Sequence, residues 1–117
     1  MAVLQRDTII LYCYCVRCAP EALMYRKFDE KSDVWSFGVT VWEIFSYGDA
    51  PKLGELEHQV QLLHKGKRLP KPAACPHEVY DIFYYGCWEY ENVKRKSFVE
   101  IRDQLRAEMD KQNTQQT

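Results

Sequence analysis

Three groups of residues in this 117-residue chain have types and spacings that chemistry could use. Cys13, Cys15 and Cys18 form a C-x-C-x-x-C cluster whose thiolates could face one metal ion. A zinc site needs a fourth ligand, and His58, His64, Cys75 and His77 offer no paired spacing for it, so three free thiols are the expectation. Carboxylates come in pairs, Asp29 with Glu30 and Glu89 with Glu91, but on charged, turn-like stretches that read as solvated faces rather than acid–base sites. The third is a single acid, Asp33, at the edge of the most apolar run of the chain, KSDVWSFGVTVWEIFSYG. No G-x-S-x-G, phosphate-binding P-loop, G-x-G-x-x-G or H-E-x-x-H is present, so those chemistries have no support.

Composition narrows the class. A hydrophobic content of 46% with 14% aromatics predicts a packed core, and the length suits one small domain. A formal charge of −1 leaves no electrostatic footprint for nucleic acid or an anionic membrane. Five cysteines, an odd number without a disulfide-framework spacing, fit a reduced cytoplasmic protein. The run Ile9 to Val16 is too short to span a bilayer, and Asp7 with Val16-Arg17-Cys18 makes a poor flank and cleavage site for a signal peptide.

The elements that position these residues read as helices from Pro20 onward, with TIILYCYCV before them a β-favouring run. Pro20 suits the first position of a short helix over APEALMY. In the next helix Ser32 is the expected N-cap, with Asp33 in the first turn at the positive end of the helix dipole. Val34, Phe37, Val41 and Phe45 line one face; Trp35, Val39, Trp42 and Ile44 cover most of the rest, and Gly48 is the stop. Such a helix is expected to be surrounded by others. Glu55 to Lys65 is amphipathic and capped by Gly66, KRLPKPAACP is too proline-rich for regular structure, and Pro76 opens a helix over HEVYDIFYYGCWEY. Ser97 and Glu100 form a capping box before a fifth helix carrying Ile101 and Leu105, with KQNTQQT a polar tail. The expected fold is all-α: a bundle of about five helices around the tryptophan-bearing one.

Order and distance then add information that no single motif holds. Ala19-Pro20-Glu21 is followed by DVWSFGV, Pro51, GKRLPKP with CP and EVYDI, CWEYENVKRKSF and a last amphipathic helix. This series resembles the C-terminal lobe of a protein kinase domain of the tyrosine-specific branch. Within that branch it is most similar to cytoplasmic kinases of the spleen tyrosine kinase and Janus kinase kind. The resemblance divides the chain into residues 1–18 outside the family pattern, a partial C-lobe over 19–108 and a polar tail over 109–117.

The resemblance implies roles. Ala19, Pro20 and Glu21 would close the activation segment and help position substrate, and Glu21 would form a buried ion pair with Arg95. Asp33 would anchor a catalytic loop through its backbone N–H groups, with Trp35 and Trp42 packing the surrounding core. Protein substrates or regulators would be the partners, met just before Ala19 and near Glu55. ATP and Mg²⁺ are the intact family's cofactors, held by a Gly-rich loop, a strand lysine, H-R-D with its asparagine, and D-F-G. None of these motifs occurs in the 117 residues, so no catalytic or cofactor-binding residue is expected here and the chain alone is expected to be inactive. Other departures are Arg17 and Cys18 where the branch has a tryptophan and then threonine or tyrosine, Lys52 in place of an aromatic, and Lys96 in place of proline. Tyr12 and Tyr14 lie too near A-P-E to carry over as activation-loop phosphosites. Asp33, lacking its loop, is expected to accept only local N–H groups or to face water. Apolar surface left uncovered by missing helices would favour self-association.

Overall fold

A computed structural model describes residues 17–51, 53–54 and 58–115. The run from Thr8 to Val16, with Tyr12, Cys13, Tyr14 and Cys15, lies outside the described residues, as do Lys52, Glu55 and Leu56. Five α-helices occur among the described residues: α1 (Pro20–Tyr25), α2 (Glu30–Phe45), α3 (Gln59–His64), α4 (His77–Gly86) and α5 (Phe98–Gln115). A 3₁₀ turn, Asn92–Lys94, stands between α4 and α5, and no strand is present among the described residues. The all-α expectation holds.

Helix α2 is the axis of the core. Its N-cap is Asp29, not Ser32: the Asp29 carboxylate accepts from the Ser32 N–H at 3.0 Å, and the Asp29 N–H reaches back to the Ser32 hydroxyl at 3.3 Å. Ser32 is therefore the third helical residue of a reciprocal capping box, which starts the helix three residues earlier than the serine alone suggests. Val34, Trp35, Val39 and Trp42 are buried, together with Leu63, Leu69, Phe83, Cys87, Trp88 and Ile101 from the surrounding elements. Phe37 meets Phe83 and Phe98 edge-on at 6.1 and 5.8 Å, joining α2 to α4 and α5. At its far end the chain turns through Tyr47 and Gly48, both at positive φ, and the Gly48 N–H closes on the Glu43 carbonyl at 2.9 Å.

One side of α2 is open. Asp33, Thr40 and Ile44 face solvent, and Ile44 is 67% exposed. The surrounded helix expected from the pattern is thus enclosed on only part of its circumference, because nothing among the described residues packs over those positions.

The proline-rich connector is irregular but pinned. The Trp42 indole N–H donates to the Pro70 carbonyl at 2.7 Å and the Tyr80 hydroxyl to the Leu69 carbonyl at 2.6 Å. These two bonds hold the chain against α2 and α4 without regular structure. Helix α4 ends at Gly86, short of the expected CWEY; Cys87 is its cap, and Trp88 turns inward. The Ser97–Glu100 capping box forms in both directions at 3.2 Å, and α5 packs on α4 through Ile101. Beyond that contact α5 continues to Gln115, through most of the stretch expected to be a polar tail. Ala, Glu, Met, Lys and Gln are good helix formers, so local propensity carries the helix past its last buried residue.

Helix α2 comes very close to the end of α4 at Gly38. A Cβ there would lie 2.8 Å from Trp88 Nε1 and 2.9 Å from Cys87 Cβ. Because both neighbours are themselves buried, neither can move away cheaply. Gly38→Ala is expected to destabilise the fold by about 1–3 kcal/mol despite its better helix propensity, read as a lower urea midpoint at unchanged slope.

Candidate functional site: the junction of Glu21 and Arg95

Ala19 adopts an extended backbone before Pro20 enters α1, and its carbonyl takes the N–H groups of Ala22 and Leu23. Both Ala19 and Pro20 are buried, so this start of α1 is fixed against the core. The arrangement aims Glu21 inward. Arg95, which follows the 3₁₀ turn 74 positions away in sequence, meets it there.

The two side chains form a bidentate pair. Arg95 Nη1 donates to one Glu21 carboxylate oxygen at 2.6 Å and Nη2 to the other at 2.7 Å. The guanidinium's remaining three N–H groups donate to backbone carbonyls, Nε to Glu89 at 2.7 Å, Nη1 to Lys31 at 3.1 Å and Nη2 to Tyr90 at 3.1 Å. All five donors are used, which is what a cation only 2% exposed requires. In return, Lys31 Nζ donates to the Arg95 carbonyl.

The network widens through hydroxyl and carboxylate. The Ser32 hydroxyl donates to Glu21 at 2.8 Å, so the residue that helps cap α2 also serves the ion pair. Asn92 Nδ2 donates to the Asp29 carboxylate at 3.2 Å. Burial pushes the Glu21 carboxyl up, but the hydrogen bonds from Arg95 and Ser32 outweigh it and hold the group below the usual carboxylate range. Asp29 is also held low, chiefly by the Ser32 N–H.

Trp35 is a floor for two cations. The Arg95 guanidinium lies 5.0 Å from the indole and the Arg68 guanidinium 5.3 Å. Arg68 is anchored by carbonyls, Nε to Trp88 at 2.8 Å and Nη1 to Leu63 at 2.8 Å and Lys67 at 2.7 Å. The sequence does not single out Arg68, because carbonyl partners have no side-chain signature. Arg17 is hidden by separation instead: its guanidinium grips Glu43, 26 positions away, at 2.7 and 3.1 Å while its carbonyl accepts from the Ser36 hydroxyl at 2.8 Å. These contacts fasten the chain just ahead of Ala19 to the middle and the last turn of α2.

The other candidates are dispersed. Asp33 is exposed in the first turn of α2, and its carboxylate has no side-chain partner among the described residues. His58, His64 and His77 are exposed, and His77 faces Asp81 one turn on at 3.3 Å. No cluster of three His, Cys, Asp or Glu able to hold a metal occurs among the described residues. Burial pushes the Cys87 thiol up to about 12, so it is an inert core residue. A groove of about 550 Å³ is walled by Phe37, Phe98, Leu105 and Met109, with Arg102, Arg106 and Asp110 along it. No helix among the described residues is long and apolar enough to cross a membrane.

The chain has clear relatives among known proteins. A family profile described as "Protein tyrosine and serine/threonine kinase" matches residues 10–105. The chain is 49% identical over 90 residues to the human tyrosine-protein kinase Srms, covering 76% of this chain and 18% of that protein. It is 48% identical over 90 residues to the chicken NT-3 growth factor receptor, covering 75% and 11%. Against the chicken tyrosine-protein kinase SYK it is 47% identical over 89 residues, covering 75% and 14%. The chain spans less than a fifth of the length of these curated relatives.

The junction has a testable energetic signature. Glu21→Gln leaves the Arg95 charge buried without its counter-ion and is expected to cost about 3–5 kcal/mol at neutral pH in urea titration. Because Glu21 binds its proton less readily when folded, its stabilisation is complete above the ordinary glutamate value of 4.5 and is lost as pH falls through the lower folded value. The difference between wild type and Glu21→Gln should therefore shrink on acidification below 4.5; a difference independent of pH would show that the Glu21 charge contributes nothing.

Proposed function

Because the chain belongs to the protein tyrosine and serine/threonine kinase family, we propose that it is the helical part of a tyrosine-specific catalytic domain and does not itself transfer phosphate. Intact relatives of this branch would carry ATP-dependent phosphorylation of protein tyrosine. The observation that carries the reading is the buried Glu21–Arg95 pair, which ties an A-P-E sequence to the loop before the last helix. In such a domain this junction would hold the end of the activation segment against the helical lobe, and Ala19, Pro20 and Glu21 would set the surface that substrate meets. Trp35 supports the junction from below. Asp33 would be the loop anchor of the complete domain, and its exposure here is consistent with an anchor whose loop is not among these residues.

ATP and Mg²⁺ belong to the complete domain in this reading. The motifs that would hold them do not occur in the chain. What remains for these residues is binding. Protein substrates or regulators of a tyrosine kinase are the proposed partners, in the cytoplasm, and the open side of α2 favours association with another protein surface, including a second copy. An interfering role toward an intact relative is the alternative to a role as part of the enzyme.

Isothermal titration of the purified chain with Mg²⁺ and ATP tests the proposal, together with a phosphorylation assay on a tyrosine-containing peptide. No binding heat and no phosphopeptide are expected. Measurable nucleotide affinity that depends on Mg²⁺ would overturn it.

A further inference from the structure

Round the open side of α2 the residues stand in the order Glu43, Ser36, Thr40, Ile44 and Phe37, within about 120° of the circumference at about 3.6 residues per turn. Arg17 holds the first two, its guanidinium on Glu43 and its carbonyl taking the Ser36 hydroxyl. Phe37 closes the other edge against Phe83 and Phe98. Between those edges Thr40 and Ile44 are exposed. The polar side chains of this strip are already satisfied: Glu43 and Ser36 by Arg17, and the Thr40 hydroxyl by the Ser36 carbonyl at 3.0 Å. What the strip offers a neighbour is therefore apolar contact. Asp33 shares the sector but lies about two turns nearer the start of the helix, and the strip ends short of it.

The chain has a cover of matching character beside this strip. The nine residues TIILYCYCV, Thr8 to Val16, lead directly into Arg17, and no charged side chain interrupts them. They lie outside the described residues, but Arg17, which they lead into, stands at the edge of the strip. Nine extended residues reach about 30 Å, and the strip from Ser36 to Ile44 is about 12 Å long. Reach is ample. Effective concentration then decides between this cover and a second copy. A segment on a short tether acts at about millimolar effective concentration, so in a micromolar solution it is favoured about a thousandfold over an equal contact from another chain.

We propose that Thr8–Val16 packs on the strip formed by Thr40 and Ile44, as an intramolecular cover for the open side of α2. A partner that binds there has to displace it. This rests on the reading of the open side of α2 as a surface for association, and adds that the chain's own apolar run holds that surface when no partner is bound. The Asp33 end of the helix and the Glu21–Arg95 junction are left as they are.

Photo-cross-linking of the full chain tests it, with the photoreactive residue benzoylphenylalanine in place of Ile44, a side chain exposed enough to be exchanged. Irradiation at micromolar concentration should give adducts within one chain, mapped by tandem mass spectrometry to Thr8–Val16 in the tryptic peptide Asp7–Arg17. The same photoreactive residue in place of Tyr85, exposed on α4, should give none there. Tyr12→Asp combined with Cys13→Asp puts a charge on both faces of an extended segment. It should lower the yield of the Ile44-site adducts about tenfold, with circular dichroism verifying that helix content is kept. Adducts found only in covalent dimers, adducts only elsewhere in the chain, or no adduct at all would each overturn the proposal. So would equal adducts from the Tyr85 site, or a yield that the double substitution leaves unchanged. The nucleotide titration does not depend on any of these outcomes, so failure of the cover and failure of the kinase-lobe reading are separately visible.

Discussion

A buried guanidinium is the constraint around which this structure is arranged. Taking Arg95 out of water is costly unless every N–H finds an acceptor and the charge finds a counter-ion. The fold meets that demand from separate segments: α1 supplies Glu21, α2 supplies the Lys31 carbonyl, and the stretch after α4 supplies the Glu89 and Tyr90 carbonyls. Moving any of these segments leaves a donor unsatisfied. The short helix α1, at six residues too short to persist alone, is held in place by the bonds its carboxylate makes.

Around the charge the apolar core closes through Trp35. Its indole accepts two guanidinium faces, a contact worth about 0.5–2 kcal/mol each depending on desolvation. Arg68 brings the end of α3 and the loop at Trp88 to this ring, and Arg95 brings α1 and the segment before α5. The A-P-E segment is thereby attached to the tryptophan-bearing helix by ionic, hydrogen-bonded and aromatic contacts together. Arg17 with Glu43 adds a second fastening on the exposed side, of the weaker kind expected for a partly solvated pair.

Much of this arrangement is legible in the sequence, and what is not has specific physical causes. Periodicity locates α2, and the S-x-x-E spacing locates the start of α5, because both signals are local. The N-cap of α2 reads as Ser32 instead of Asp29 because serine and aspartate both cap helices, and only the reciprocal bond tells which is outside. Ile44 reads as buried because an apolar pattern reports what a helix can bury, not whether a neighbour is there to bury it. The last third of α5 reads as a tail because a polar sequence with high helix propensity carries no mark that separates the two. Glu21 and Arg95 pair only through a family resemblance; 74 positions of separation hide such a pair from any local rule. Arg68 relies on carbonyl contacts, which every residue can make, and Arg17 meets the Glu43 carboxylate across 26 positions, so neither leaves a local signal in the pattern.

If the Glu21–Arg95 junction makes α1 part of the same cooperative unit as α2, the two helices must open together. Native-state amide hydrogen exchange addresses this directly, because it assigns an opening free energy to each protected N–H. The N–H groups of Leu23 and Arg26, bonded to Ala19 and Ala22, should exchange with the same opening free energy as those in the buried middle of α2 around Val39 and Trp42. Exchange of the α1 amides at nearly unprotected rates while α2 remains protected would contradict the account, since the ion pair would then not be holding α1 to the lobe.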